Sequence, residues 1–185
     1  MFPVFLQRIL SFGIDDQMDI ALANRIRRIN LYYIILVILL LISAIWSSIT
    51  EMNTFLLLNS IFLLVAVAIY FLFPPHRKPD LNSMLVLGLT GMLFLAGYLF
   101  KVGTTETLTM SLYLLFPIAA VSINGRHGIW VPVALGIITL VANFLPLFDR
   151  GIHLNGYHSL VFFPVYALVI LICIFVEKSN RELLT

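Results

Sequence analysis

The residues of this chain that can do chemistry are few, and they lie at the ends of long apolar runs. Four histidines, His76, His127, His153 and His158, fall in or beside polar joints. Haem or metal ligation needs pairs projecting from facing helices. His76 and His127 sit in turn-rich joints, and His153 and His158 are five residues apart, off a common helical face. No Gly-x-Ser-x-Gly nucleophile turn occurs. The single cysteine, Cys173, has no partner in the chain and reads as a small apolar residue. The interiors of the runs hold no Asp, Glu, Lys or Arg, whereas proton relays, ion carriers and voltage sensors place ionisable groups there. No filter-like loop or charged ring suggests a channel. The residue inventory therefore predicts no catalysis within this chain, no metal and no cofactor, and leaves binding as the chemistry to look for.

Polar groups gather at one end of the runs: Glu51, Lys101, Glu106, Asp149, Arg150, His153, Asn155 and His158. Asn59 and Asn143 bring amides into the same halves of their runs, and aromatic side chains stand beside them. An apolar cavity with a few convergent polar groups is the usual form of a small-molecule site. The candidate ligand-binding set is Asn59, Tyr98, Asn143, Phe144, Asp149, Arg150, His153, His158, Phe162 and Tyr166. The competing reading is structural: Trp and Tyr form interfacial belts, and Asn hydrogen-bonds helix to helix.

The elements that must position these groups are six apolar runs, at 30–50, 53–73, 82–100, 106–124, 128–148 and 157–177. Each has the length a helix needs to cross about 30 Å of hydrocarbon. A composition of 61% hydrophobic and 11% charged residues, with mean hydropathy +1.05, excludes an ordinary soluble domain. The expected fold is an all-α, integral membrane six-helix bundle (30–177), between an amphipathic, interfacial N-terminal segment (1–29) and the start of a cytoplasmic signalling helix (178–185). At about 19 residues, the first run is too long for a signal-peptide core, so it is expected to persist in the mature protein. Arg8, Arg25, Arg27, Arg28, Arg77, Lys78, Arg126, Lys178 and Arg181 fall on one side of the bundle, with only Lys101 and Arg150 on the other. By the positive-inside rule both termini are cytoplasmic. The basic residues lie where topology demands them, so they give no nucleic-acid signal.

Within the N-terminal segment, Asp15 and Asp16 open a helix in which Met18, Leu22, Ile26 and Ile29 recur at helical spacing, with its arginines either laid against anionic headgroups or serving as a plain positive-inside anchor. Pro74-Pro75-His76-Arg77-Lys78-Pro79-Asp80 reads as a stiff turn. Asn124-Gly125-Arg126-His127-Gly128 reads as a tight joint between antiparallel neighbours. Pro117, Pro132, Pro146 and Pro164 all fall in the last three runs, which are therefore expected to bend. No internal repeat supports a transporter of inverted halves.

The last run passes into Glu177-Lys178-Ser179-Asn180-Arg181-Glu182-Leu183 without Gly or Pro. Ile172, Val176, Ser179 and Leu183 follow the 4-3-4 spacing of a two-stranded coil seam. A helix that leaves the membrane and stops in mid-pattern is expected to continue beyond Thr185. This exit helix, the basic stretch Asn24-Arg25-Ile26-Arg27-Arg28-Ile29-Asn30 and the six runs with tiny loops resemble bacterial six-helix membrane sensor modules. These include the membrane-associated sensor (MASE-like) domains and the input domains of quorum-sensing histidine kinases. The resemblance implies a non-catalytic input domain in a bacterial inner membrane, ahead of a histidine kinase, diguanylate cyclase or class III nucleotide cyclase. It further implies that the exit helix begins a homodimeric signalling coil. The expected partners are the lipid bilayer, a small hydrophobic or amphiphilic ligand and a second copy of the chain. A solute permease and a passive anchor and dimeriser are the alternatives.

Topology is directly testable. Reporters fused after Glu51, Glu106 or Asp149 are expected outside and those at Lys78, Gly125 or Thr185 inside. A phosphatase fusion active at Gly125 and silent at Glu106 reverses the orientation.

Overall fold

A computed structural model describes residues 8–15, 17–50, 53–99, 106–144 and 156–182. The described residues are helical apart from turns and short joints. The long helices among the described residues are α1 (Ile20–Ile49), α2 (Asn53–Leu72), α3 (Pro79–Leu99), α4 (Glu106–Gly128), α5 (Trp130–Phe144) and α6 (Gly156–Glu182). Each of the six apolar runs falls on one of them. Three helical stretches, Ile20–Ile49, Pro79–Ala96 and Phe162–Ser179, are long and apolar enough to cross a membrane, and three further apolar stretches, Leu56–Leu72, Tyr113–Gly125 and Trp130–Ala142, are shorter. The chain divides into two compact units, Met1–Leu89 and Thr90–Thr185.

In the first unit α1 packs on α2. No Gly or Pro occurs between Asp19 and Thr50 to stop a helix, and α1 runs unbroken for 30 residues, about 45 Å at 1.5 Å per residue. The basic stretch at 25–28 is thus carried in the early turns of the same helix as the first apolar run, and the helix continues across 29/30. Its buried face is a single seam: Ala23, Ile26, Ile29, Asn30, Tyr33, Leu36, Leu40 and Ser47, at the three- and four-residue spacings that return to one side of a helix. Ile26 and Ile29, two of the periodic residues expected to make the N-terminal segment amphipathic, are fully buried against protein. The joint after α2 turns on Pro74, whose carbonyl accepts the backbone N–H groups of both Arg77 (3.0 Å) and Lys78 (3.1 Å). Pro79 then takes the first position of α3, where a missing N–H costs nothing, and Asp80 sits in the first turn, where the helix dipole favours an acid.

In the second unit α4 packs on α5 and α6, and α5 packs on α6. The tight joint expected at 124–128 is present: Gly125 leaves helical geometry at φ 54°, ψ −138°, a region that a residue with a Cβ occupies only under strain. Pro132 lies in the first turn of α5, where its missing N–H is harmless. Pro117 and Pro164 lie inside α4 and α6, which continue through them. Pro146 falls outside the described residues. Cys173 is free and buried, packed as an apolar residue.

Many of the largest apolar side chains face outward, among them Leu64, Phe71, Leu72 and Phe175, each at least 70% exposed. That distribution suits hydrocarbon surroundings and is unfavourable in water.

Two glycines set opposite expectations for stability. Gly125→Ala should cost about 1–3 kcal/mol from its left-handed backbone. Gly88→Ala, where an added Cβ meets nothing within 4 Å, should gain up to about 1 kcal/mol of helix propensity. Thermal unfolding in detergent is expected to show Tm falling for the first and unchanged or raised for the second.

Candidate functional site

Of the candidate ligand-binding residues, Phe162 and Tyr166 are the best placed. They stand four residues apart on α6, stack on each other at 5.8 Å and 17°, and are both buried. Tyr113 from α4 meets both rings edge-on, at 5.9 and 6.4 Å. Phe94 of α3 continues the cluster through Tyr113 (5.4 Å) and Phe116 (5.3 Å). Edge-to-face rings at these separations gain from quadrupole alignment beyond the area they bury. The rings cover one another, and Tyr113, Phe116, Phe162 and Tyr166 are all buried.

The cluster is tied to α5 by one polar contact. The Tyr166 hydroxyl donates to the Pro132 carbonyl at 2.8 Å. The lane that lets the ring reach that carbonyl is Gly136, one turn along the same face of α5. A Cβ there would sit 2.6 Å from Tyr166 Cε1. A glycine on one helix, a tyrosine on another and a proline carbonyl thus hold α5 and α6 in close register.

Asn59 belongs to the first unit and is spent between helices. Its Nδ2 donates to Ser43 Oγ of α1 at 2.8 Å, while the Ser47 hydroxyl donates to the Ser43 carbonyl, also at 2.8 Å. This is the interhelical amide contact expected of Asn in an apolar bundle. The backbone of Tyr98, Asn143, Phe144 and His158 is helical. Asp149, Arg150 and His153 lie outside the described residues. Of the signal-relay residues, Ile172 and Val176 are about half exposed and Ser179 is partly covered. They lie on an α6 that continues to Glu182. Leu183 lies outside the described residues. Among the described residues no three His, Cys, Asp or Glu side chains converge as a metal site would require.

A second constellation, in the first unit, escaped sequence reasoning. Asn30, 1% exposed, donates its amide to the carbonyls of Leu10 and Phe12 at 3.1 Å and of Ile9 at 3.4 Å, and its Oδ1 accepts the Tyr70 hydroxyl at 3.3 Å. Tyr33 packs edge-on to Tyr70 at 4.9 Å, and its hydroxyl lies beside the Asn82 side chain. Asn82 donates to the Phe73 carbonyl at 2.6 Å. Nearby, Arg25 pairs with Asp80 at 2.7 Å. In the sequence these residues are isolated polar interruptions at the rims of apolar runs. The available signal was that Asn30 and Tyr33 fall on the Ile26/Ile29 face.

No family model, no characterised protein and no solved structure matches the chain.

The Tyr166 contact gives a graded test. Tyr166→Phe, which removes only the hydroxyl, should cost about 0.5–1.5 kcal/mol. Gly136→Ala, which pushes the ring itself, should cost about 1–3 kcal/mol by overpacking. Denaturation of the detergent-solubilised chain reads both. Equal stability of Gly136→Ala and wild type would contradict the close α5–α6 approach.

Proposed function

We propose that this chain is the membrane input domain of a bacterial signalling protein, a six-helix bundle in the inner membrane with both termini cytoplasmic. It relays binding of a small apolar or amphiphilic molecule, or a state of the bilayer, through α6 to a dimeric cytoplasmic output. The resemblance of its sequence layout to MASE-like and quorum-sensing kinase input domains supports this reading, and the observation that carries it is the continuity of α6. That helix runs 27 residues from Gly156 to Glu182 through Pro164, about 40 Å. It therefore extends past an apolar stretch of spanning length into the charged segment 177–182 with no joint to absorb a tilt or rotation. Leu168, Leu171, Ile172, Phe175 and Val176 are all exposed along it, uncovered by the rest of the described chain.

The aromatic cluster suggests how an input would act. A ligand reaching Phe162 and Tyr166 must part their rings from Tyr113, and those ring contacts belong to the packing of α6 on α4. Its apolar part would replace ring contacts at about 0.8 kcal/mol per buried methylene, with its polar end toward Asn143, Asp149, Arg150, His153 and His158. A few kcal/mol of differential binding is enough to shift a two-state bundle.

Pairing of the exit helix is the test. In membranes of the intact protein, with Cys173 replaced by Ser, Ser179→Cys is expected to form disulfide-linked dimers faster than Asn180→Cys, which lies off the 172/176/179 seam. Equal cross-linking at both positions removes the paired coil and favours a passive anchor.

A further inference from the structure

We infer that residues 8–14 form an intramolecular latch whose docking sets how α1 packs on α2 and on the joint that opens α3. The segment makes a helical turn at 8–10 followed by a turn at 11–13, closed by backbone hydrogen bonds from Phe12 to Ile9 and from Ile14 to Ser11, both 3.1 Å. Asn30 grips backbone carbonyls of this turn, so it recognises the shape of the segment more than its side chains. Phe12 lays its ring against Tyr70 (6.3 Å) and His76 (6.4 Å). Gly13, in the left-handed region at φ 79°, lies so close to the imidazole that a Cβ would sit 2.5 Å from His76 Nδ1. The fit is therefore specific at three points from three places in the sequence: Asn30 on α1, Tyr70 on α2 and His76 in the joint.

Coupling follows from the two ends of one side chain. The Asn30 amide nitrogen holds the latch while its oxygen holds Tyr70. If the segment leaves, a buried amide loses its acceptors, a state that is costly unless it finds new partners or admits water. Either response repositions Asn30 against Tyr70. A partner for a second arrangement lies at the latch itself. The His76 Nδ1, against which Gly13 packs, is a buried atom that closes no hydrogen bond while the latch is docked, whereas the buried Tyr33 hydroxyl and Asn82 side chain lie beside each other. Buried polar groups are normally satisfied. A buried imidazole nitrogen left without a hydrogen bond beside the docked segment marks a contact that gives one up in this state and can regain it in another. The inference stands whether or not α6 relays a signal, because every residue it uses belongs to the first unit.

Hydrogen–deuterium exchange of the whole chain in nanodiscs tests it, with Gly13→Ala and Asn30→Leu compared with wild type. Gly13→Ala acts where the latch meets His76 and leaves Asn30 in place, so the test survives even if Asn30→Leu fails to fold. The wild type should protect amides in 8–14. Gly13→Ala should speed their exchange about tenfold, as expected from the loss of one or two hydrogen bonds. It should also speed exchange in 26–34 and 68–78 and leave 113–142 unchanged. Acceleration confined to 8–14 and the joint 73–78, which the new Cβ strikes directly, overturns the coupling. Exchange of 8–14 in wild type at the rate of unstructured chain overturns the docking itself.

Discussion

An unbonded peptide N–H or C=O costs several kcal/mol in hydrocarbon, and that penalty organises this molecule. Helices satisfy the backbone from within, so the apolar runs are helical over almost all of their described lengths and the ionisable side chains are left at their ends. Side chains that must be both buried and polar then have few acceptors to choose from. They turn to one another or to carbonyls of helices and turns: Asn59 to Ser43, Tyr166 to the carbonyl of Pro132, Asn82 to that of Phe73, and Asn30 to three carbonyls of the preceding turn.

The two units use this resource differently. The second is held by aromatic faces, with one hydroxyl and one glycine fixing how close α5 and α6 come. The first is held by a polar relay from the N-terminal turn through Asn30 and Tyr70 to the neighbourhood of Tyr33 and Asn82. Rings can slide or part at modest cost and re-form, which suits a site opened by an apolar molecule. Amide and hydroxyl contacts are directional, and losing one buried partner strands the other, which suits an element with discrete arrangements.

The helices were largely legible in the sequence because their signals are redundant. Long uncharged runs, the Pro74–Asp80 turn and the Asn124–Gly128 joint each carry local chemistry strong enough to decide the backbone. The continuation of α1 through Arg25–Asn30 was less legible. A change from basic to apolar composition looks like a boundary, yet nothing in that stretch breaks a helix. The candidate site was only partly readable. Composition placed Phe162 and Tyr166 among aromatics, but their burial under Tyr113 depends on how α4 meets α6, which no local pattern encodes. Asn30 was unreadable for the same reason: its partners lie 18 to 40 residues away along the chain.

The central claim is that α6 passes as one rigid helix from hydrocarbon into the aqueous phase. A nitroxide scan of positions 165–182 in bilayers, with oxygen and a water-soluble nickel chelate as relaxing agents, tests it most directly. The account predicts a 3.6-residue periodicity that runs unbroken through Val176 and Glu177, with oxygen access dominant before that point and nickel access rising after it. Loss of the periodicity at 176–178, or strong nickel access throughout 165–176, would contradict it.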